Sequence, residues 1–357
     1  MSRAGAYVGY TIMLCYSGRH YYAGVLMRAL GFKRKIKDGD KGVEGDDAVS
    51  VLAARTLLLS FIGFVIILSW MCQSWVIAIF YSLLLVILYL VISRIVCESG
   101  IPFIQCNWEP GPILVKLLGP AAMGPKALTF SLWSNGILAQ DPRESLMPYV
   151  ATGIKLSEDV NIKLRRMFFV IVAAVVLAMT VAFLSSTYSL YNYKSTTDSW
   201  AALYTPQMYL DQAARSFSFM EAVGELKTSA EASPLGRLKL IRSAPMETRY
   251  FFYGAIAVLA FTILRYRFSK FPLHPLLFLA VGTYPSSGTW CSFLIGWSIK
   301  QLVVRFGGGG VYNKMKPLFV GIIAGELVMV GITLFMDFFY FFMYNTPAPI
   351  KYNLMPG

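Results

Sequence analysis

The stretch from Arg94-Ile95-Val96-Cys97-Glu98-Ser99-Gly100-Ile101-Pro102 to Met147-Pro148-Tyr149-Val150-Ala151-Thr152-Gly153-Ile154-Lys155 decides the fold. Apolar runs of membrane-helix length frame it. Inside it stand Pro102, Pro110, Pro112, Pro120 and Pro125, with Asn107, Glu109, Lys116, Lys126, Trp133 and Asn135 among them. Proline removes a backbone donor and clashes with the preceding turn, so no long helix runs through. In lipid an unpaired N–H or C=O is costly, and irregular backbone survives at membrane depth only where protein or a wet cavity covers it. The stretch therefore reads as a broken, re-entrant segment lining a polar site. Residues 112 to 122 and 125 to 139 are its expected half-helices.

Bulk composition agrees with a membrane setting. The chain has 357 residues, of which 56% are hydrophobic, 15% aromatic and 14% charged, and its mean hydropathy is +0.57. A soluble domain carries about 25% charged residues. The expectation is an all-α, polytopic integral membrane bundle. The formal net charge of +13 sits on Lys and Arg that flank apolar spans, as the positive-inside rule expects. No zinc, helix-turn-helix or RNA-recognition pattern accompanies it, so nucleic acid is not an expected partner. Cys15, Cys72, Cys97, Cys106, Cys291, His20 and His274 show no metal-ligand spacing, and no metal site is expected. No cofactor is assigned. The start, Met1-Ser2-Arg3-Ala4-Gly5, lacks a clean signal-peptide cleavage pattern.

In chain order, residues 1–51 read as an interfacial helix over 18 to 31 followed by a basic loop, Lys33 to Lys37, on the cytoplasmic side. Residues 52–190 form a first membrane bundle. It holds spans over 52 to 71 and 75 to 97 joined by a tight turn, the broken segment at about 100–140, an inside segment over 141 to 166, and a span over 167 to 190. Residues 191–246 read as an outer extramembrane loop with amphipathic pieces. A second bundle covers 247–345, with spans over 250 to 264 and 317 to 344, and a tail, 346–357, follows outside. Within it, residues 272–304 carry Pro272, Pro275 and Pro285 between basic flanks, Arg265 and Arg267 before, Lys300 and Arg305 after. A second discontinuous hairpin is expected there, and Gly307 to Gly310 is read as a flexible turn. Two broken elements among about five full spans are the sequence pointer to a transporter site.

Seven polar residues are candidates for a substrate or ion pathway. Glu98 could take a proton or cation, or pair with Arg94 one helical turn earlier. Asn107 and Glu109 in the first irregular loop could coordinate a solute, or face water as loop caps. Asn135 lies with Trp133 on the second arm. Ser286 and Ser287 offer hydroxyls at the second break, where they could bind a ligand or satisfy backbone freed by Pro285. Glu326 falls within Gly321-Ile322-Ile323-Ala324-Gly325-Glu326, and a carboxylate in an apolar run must face protein or water. Gly321 and Gly325 have the spacing that lets a second helix approach closely. There is no nucleophile elbow, phosphate loop, dinucleotide fingerprint or zinc-protease motif, so no enzyme is expected.

Two segments resemble the oligopeptide transporter superfamily. Glu144-Ser145-Leu146-Met147 through Gly153-Ile154-Lys155, followed by Arg165-Arg166 and a span, looks like that family's D-L-M-x-x-x-K-T-G-Y segment. Pro317, Gly321, Gly325 and Glu326 match its P-x-x-x-G-x-x-x-G-E helix. The Arg94–Pro102 segment and the Arg305-Phe306-Gly307 turn look closer still to uncharacterised bacterial relatives. Met147-Pro148-Tyr149 departs from the family pattern and leaves Gly153 and Lys155 in altered order, so peptide or metal-chelate specificity is not carried over.

The resemblance implies a fold like half of an oligopeptide transporter, in a bacterial inner membrane. It also implies a companion membrane subunit or second copy supplying the other half. The function it implies is that of a secondary transporter subunit moving a small solute, coupled to protons or cations. The alternative is a non-transporting structural or anchoring subunit of a larger membrane complex.

Overall fold

The computed structural model describes residues 1–32, 44–101, 104–141, 145–160, 162, 164–193, 204–268, 271, 273–280, 282–344 and 346. The expectations that rest on Lys33 to Lys37, Pro102, Glu144, Pro272 and the tail from 347 lie outside them. Among the described residues the chain is helical throughout: α1 Ser2–Ser17, α2 Arg19–Ala29, α3 Glu44–Cys72, α4 Trp75–Ser99, α5 Pro110–Leu118, α6 Pro120–Met123, α7 Pro125–Leu138, α8 Leu146–Asp159, α9 Leu164–Tyr193, α10 Thr205–Ala222, α11 Leu226–Glu231, α12 Pro245–Arg267, α13 Leu276–Ala280 and α14 Tyr284–Tyr344. A 3-10 turn, Gly236–Leu240, lies between α11 and α12. The chain divides into two units, residues 1–283 and 284–357. α12 packs on α1 inside the first unit.

Five helices among the described residues are long and apolar enough to cross a membrane: Ser50–Cys72, Trp75–Ser99, Arg166–Asn192, Pro245–Arg267 and Ser286–Tyr344. The two expected spans before residue 98 and their tight turn are present, with Gln73 turning at φ 51°. The first unit is built around α4. In its most apolar window 56% of residues are buried, against none in α9. Val91, Ile92 and Ile95 of α4 contribute to the core, with Leu88 and Tyr81 below them. Gly100, left-handed at φ 68°, ends the helix.

The broken stretch beyond Gly100 becomes three short helices, each with proline in its first turn. Proline is tolerated there because that N–H would have no intrahelical partner anyway. Gly119 and Gly124 separate them at φ +88° and +80°. A Cβ at Gly119 would sit 2.7 Å from the Arg242 carbonyl oxygen, so both the backbone angle and the close approach require glycine. α5 and α7 are antiparallel, since Gly111 at the start of α5 meets Asn135 near the end of α7. α7 runs beside α4 in the same direction: Lys126 donates to Gln73, Tyr81 reaches Asn135, and the Tyr89 hydroxyl donates to the Leu138 carbonyl.

Residues 204–244, expected as an outer loop, pack along these short helices. α10 lies against α7, with Thr205 and Tyr209 beside Gly136. The chain after α11 then clasps the turns. Arg242 N donates to Leu118 O at 3.0 Å, Ala244 N to Lys116 O at 3.0 Å, and Ser229 Oγ to Ala121 O at 2.7 Å. Buried Arg237 donates to the Ser229 carbonyl at 3.0 Å and lies against Gly124. Two ion pairs hold the rim, Arg242 with Glu225 at 2.7 Å and Lys116 with Glu247 at 3.7 Å.

α1 and α12 cross with backbones in contact. A Cβ on Gly5 would lie 1.8 Å from the Phe251 carbonyl oxygen, and one on Gly254 would lie 1.8 Å from that of Ser2. Gly9 meets Ala255 in the same way at 2.7 Å. This is the small-residue spacing that lets helices approach closely. α2, expected at the interface, lies on α3, where the Arg55 side chain donates to the Ala29 carbonyl.

Within 272–304 lie α13, the left-handed Gly282 at φ 73° and the first part of α14, which is two helices joined across a kink. Its break is a single residue, Gly308, at φ 68° and ψ −179°. The run Gly307 to Gly310, read as a flexible turn, is otherwise helical.

Gly5→Leu and Gly254→Leu each drive a side chain into facing backbone. Each should lower stability by about 1–3 kcal/mol or more, read as a lower melting temperature of the detergent-purified protein. A Cβ at Gly325 meets none of the described residues within 4 Å, and Gly325→Leu should leave the melting temperature of the isolated chain unchanged.

Candidate functional site

The broken helices assemble a buried polar cluster beside α4. Asn135, fully buried on α7, accepts two hydrogen bonds at Oδ1: from Tyr81 Oη of α4 at 3.0 Å, and from the Gly111 backbone N at 3.3 Å. Gly111 is needed where it stands, because a Cβ there would come within 2.5 Å of Asn135 Nδ2. Two residues upstream, half-buried Glu109 accepts from Tyr209 Oη of α10 at 2.7 Å. Ser131 and Ser134, also buried on α7, turn their hydroxyls onto the carbonyls of Leu128 and Ser131. Four elements thus meet at one place, at the level where Tyr81 and Tyr89 extend from the waist of α4.

The electrostatics favour a neutral carboxyl. Burial raises the pKa of Glu109 above the ordinary value, and the Tyr209 hydrogen bond partly offsets it. The Tyr209 phenol is pushed up by burial and then by the adjacent Glu109. Burial also pushes the Cys106 thiol up to about 12, which makes it a poor nucleophile. Three buried donors near this region have no acceptor among the described residues: Asn135 Nδ2, Trp108 Nε1 and Tyr7 Oη. Tyr7 and Trp108 meet edge to face at 5.3 Å. A buried donor left without an acceptor costs about 1–3 kcal/mol, so these groups are where a polar guest gains most. No three His, Cys, Asp or Glu side chains converge among the described residues.

The sequence candidates are distributed unevenly. Glu109 and Asn135 come together. Asn107 is exposed and donates to the Gly282 carbonyl at 3.2 Å, tying the irregular loop to the segment before α14. Glu98 pairs with Arg94 and accepts from Tyr10 Oη at 3.3 Å. Ser286 and Ser287 lie in the first turn of α14, and Glu326 is exposed in the middle of that helix. A Cβ added at Gly321 or Gly325 would meet none of the described residues within 4 Å. Lys116 and Lys126 are held by Glu247 and Gln73.

Two participants were not singled out in the sequence, Tyr81 and Tyr209. Tyr81, followed by Ser82 inside an otherwise apolar span, carried a signal. Tyr209 sits on an amphipathic helix 100 residues from Glu109, and nothing local marks it.

Fold and site together define a membrane-embedded helical protein with a polar cluster at a helix break. The chain belongs to DUF6785, a family of unknown function, which it matches over residues 1–347. No curated protein and no solved structure matches it.

Two outcomes follow. Asn135→Leu leaves the Tyr81 hydroxyl and the Gly111 N–H without their acceptor, and should cost about 1–3 kcal/mol for each, measured by thermal unfolding in detergent. Glu109 binds its proton more tightly folded than unfolded. Its contribution is therefore full below the ordinary carboxylate value of 4.5 and is lost as pH rises through the folded-state pKa. Glu109→Gln should flatten that fall in a melting-temperature series against pH. Tyr209→Phe, which removes the offsetting hydrogen bond, should move the fall to higher pH.

Proposed function

We propose that this chain is a subunit of an oligopeptide-transporter-like secondary transporter in a bacterial inner membrane, moving a small solute coupled to protons. The observation that carries the reading is Glu109: a half-buried carboxyl with a raised pKa, held by Tyr209 at the break before α5. Irregular backbone beside a spanning helix is where transporters bind solute and coupling ion. On this reading, α5 to α7 form a re-entrant hairpin, and Asn135 with the unpaired donors around it offers polar contacts to the solute. Protonation of Glu109 weakens its bond from Tyr209, because an ionised acceptor holds a donor more strongly than a neutral one. Loading a proton thus loosens the tie between α10 and the start of α5, which supplies a local step for alternating access. Glu326 is the second candidate coupling group, on α14. A companion subunit or second copy completes the bundle.

The anchoring reading has its own support. No residue is buried in the most apolar window of α9 or of α14, and a Cβ at Gly321 or Gly325 meets none of the described residues within 4 Å. Those faces suit the helices of a larger complex.

The test uses protein solubilised from membranes in mild detergent with its co-purifying polypeptides, then reconstituted into vesicles holding a pH dye. A mixed pool of small solutes, short peptides, amino acids and metal chelates among them, is added under an inward proton gradient. Solute-dependent acidification is expected, reduced to the level of empty vesicles by Glu109→Gln. Acidification untouched by Glu109→Gln removes Glu109 from coupling. None with the wild-type complex supports the anchoring reading.

A further inference from the structure

We infer that the bend of α14 at Gly308 is a binding site for the headgroup of an anionic phospholipid. The inference rests on the membrane setting of the chain and is independent of whether the protein transports. α14 has 61 residues. Gly308 divides them into two helical arms, which at 1.5 Å per residue measure about 36 and about 54 Å, each longer than a hydrocarbon core of about 30 Å. Its middle therefore lies outside the hydrocarbon, with apolar arms on either side. The middle is where the charges are. Lys300, Arg305, Lys314 and Lys316 stand there, and no Asp or Glu occurs between Tyr284 and Gly325. Gly308 breaks the helix between these cations, and Pro317, inside the helix, removes a backbone donor just after them.

The bend brings side chains from both arms to one place. Lys300 Nζ lies 5.7 Å and Lys316 Nζ 5.1 Å from the centroid of the Tyr312 ring. The ring attracts each ammonium, but the two cations repel one another, and no carboxylate in the segment offsets that repulsion. Between them lies a groove of about 460 Å³ whose floor includes Ile299, Val303, Met315 and Phe319. Two cations at the rim of an apolar floor match a phosphodiester attached to acyl chains. Free phosphate would find the charge but leave the floor unused. Clustered Lys and Arg at headgroup depth favour anionic over zwitterionic lipid.

The test is native mass spectrometry of the delipidated full chain with phosphatidylglycerol or phosphatidylcholine of matched acyl chains. Wild type should retain phosphatidylglycerol by about tenfold over phosphatidylcholine, as two cations at the headgroup level imply. Lys300→Gln combined with Lys316→Gln should erase that preference. Lys300→Arg combined with Lys316→Arg should keep it. Helical circular dichroism and elution volume report whether each variant is folded. Lys155→Gln, on an exposed face of α8, should leave the preference intact. Equal retention of the two lipids by wild type overturns the inference. So does an equal loss in Lys155→Gln, or displacement of phosphatidylglycerol by inorganic phosphate.

Discussion

A helix that stops beside α4 leaves carbonyls with no partner in their own turn, and the first unit is arranged around satisfying them. α5, α6 and α7 end and begin within a few residues of each other, so the release is concentrated at two glycine–proline junctions. Water is the usual partner for such groups. Here the partners come from a segment more than 100 residues later. The backbone N–H groups of Arg242 and Ala244 and the hydroxyl of Ser229 take the carbonyls of Leu118, Lys116 and Ala121. The broken helices and residues 204–244 therefore stand or fall as one element. Neither satisfies its polar backbone alone.

That coupling explains why Glu109 has its environment. The clasp draws α10 against α7, which sets Tyr209 beside Gly136 and within hydrogen-bonding reach of Glu109. The carboxyl loses water on one side and gains a phenol on the other. Burial dominates the balance, and the net direction is upward. Asn135 is treated differently by the same packing. Its carbonyl oxygen is doubly occupied while its amide nitrogen is not, so the cluster has donor capacity to spare and little acceptor capacity.

What the sequence disclosed divides along physical lines. Spans such as 75 to 97 were legible because uninterrupted apolar runs of that length have few other fates. The break after Gly100 was legible because proline acts locally. The partner of the break was not, since residues 204–244 carry ordinary amphipathic patterning that fits a solvated loop as well as a docked one. Small-residue spacing misled in an instructive way. Gly5 and Gly9 have the same separation as Gly321 and Gly325, yet the first pair presses on α12 and the second meets open space. Spacing gives the capacity for close approach. Whether a second helix is present is not encoded in the run itself. Within 272–304 the chain forms α13, a left-handed turn at Gly282 and then α14, with Pro285 in the first turn, where proline starts a helix rather than breaking one.

The exposure of α9 and α14 follows from the same limit. A helix apolar around its whole circumference gives no face from which to read its neighbours, because lipid tails and leucine side chains are equally acceptable contacts. A polar residue in such a helix restores directionality. Glu326 is followed by a long apolar run, Leu327 to Phe335, interrupted by Thr333. A carboxylate at a helix centre costs about 2.5–3.5 kcal/mol on insertion scales, which a run of that kind can offset. Glu326 thus does not decide whether the arm enters the membrane. It decides which side of the arm turns away from lipid, and Gly325 lies next to it on the sequence. Protein or water met by that side therefore meets the carboxylate beside a position where a second backbone has room to approach.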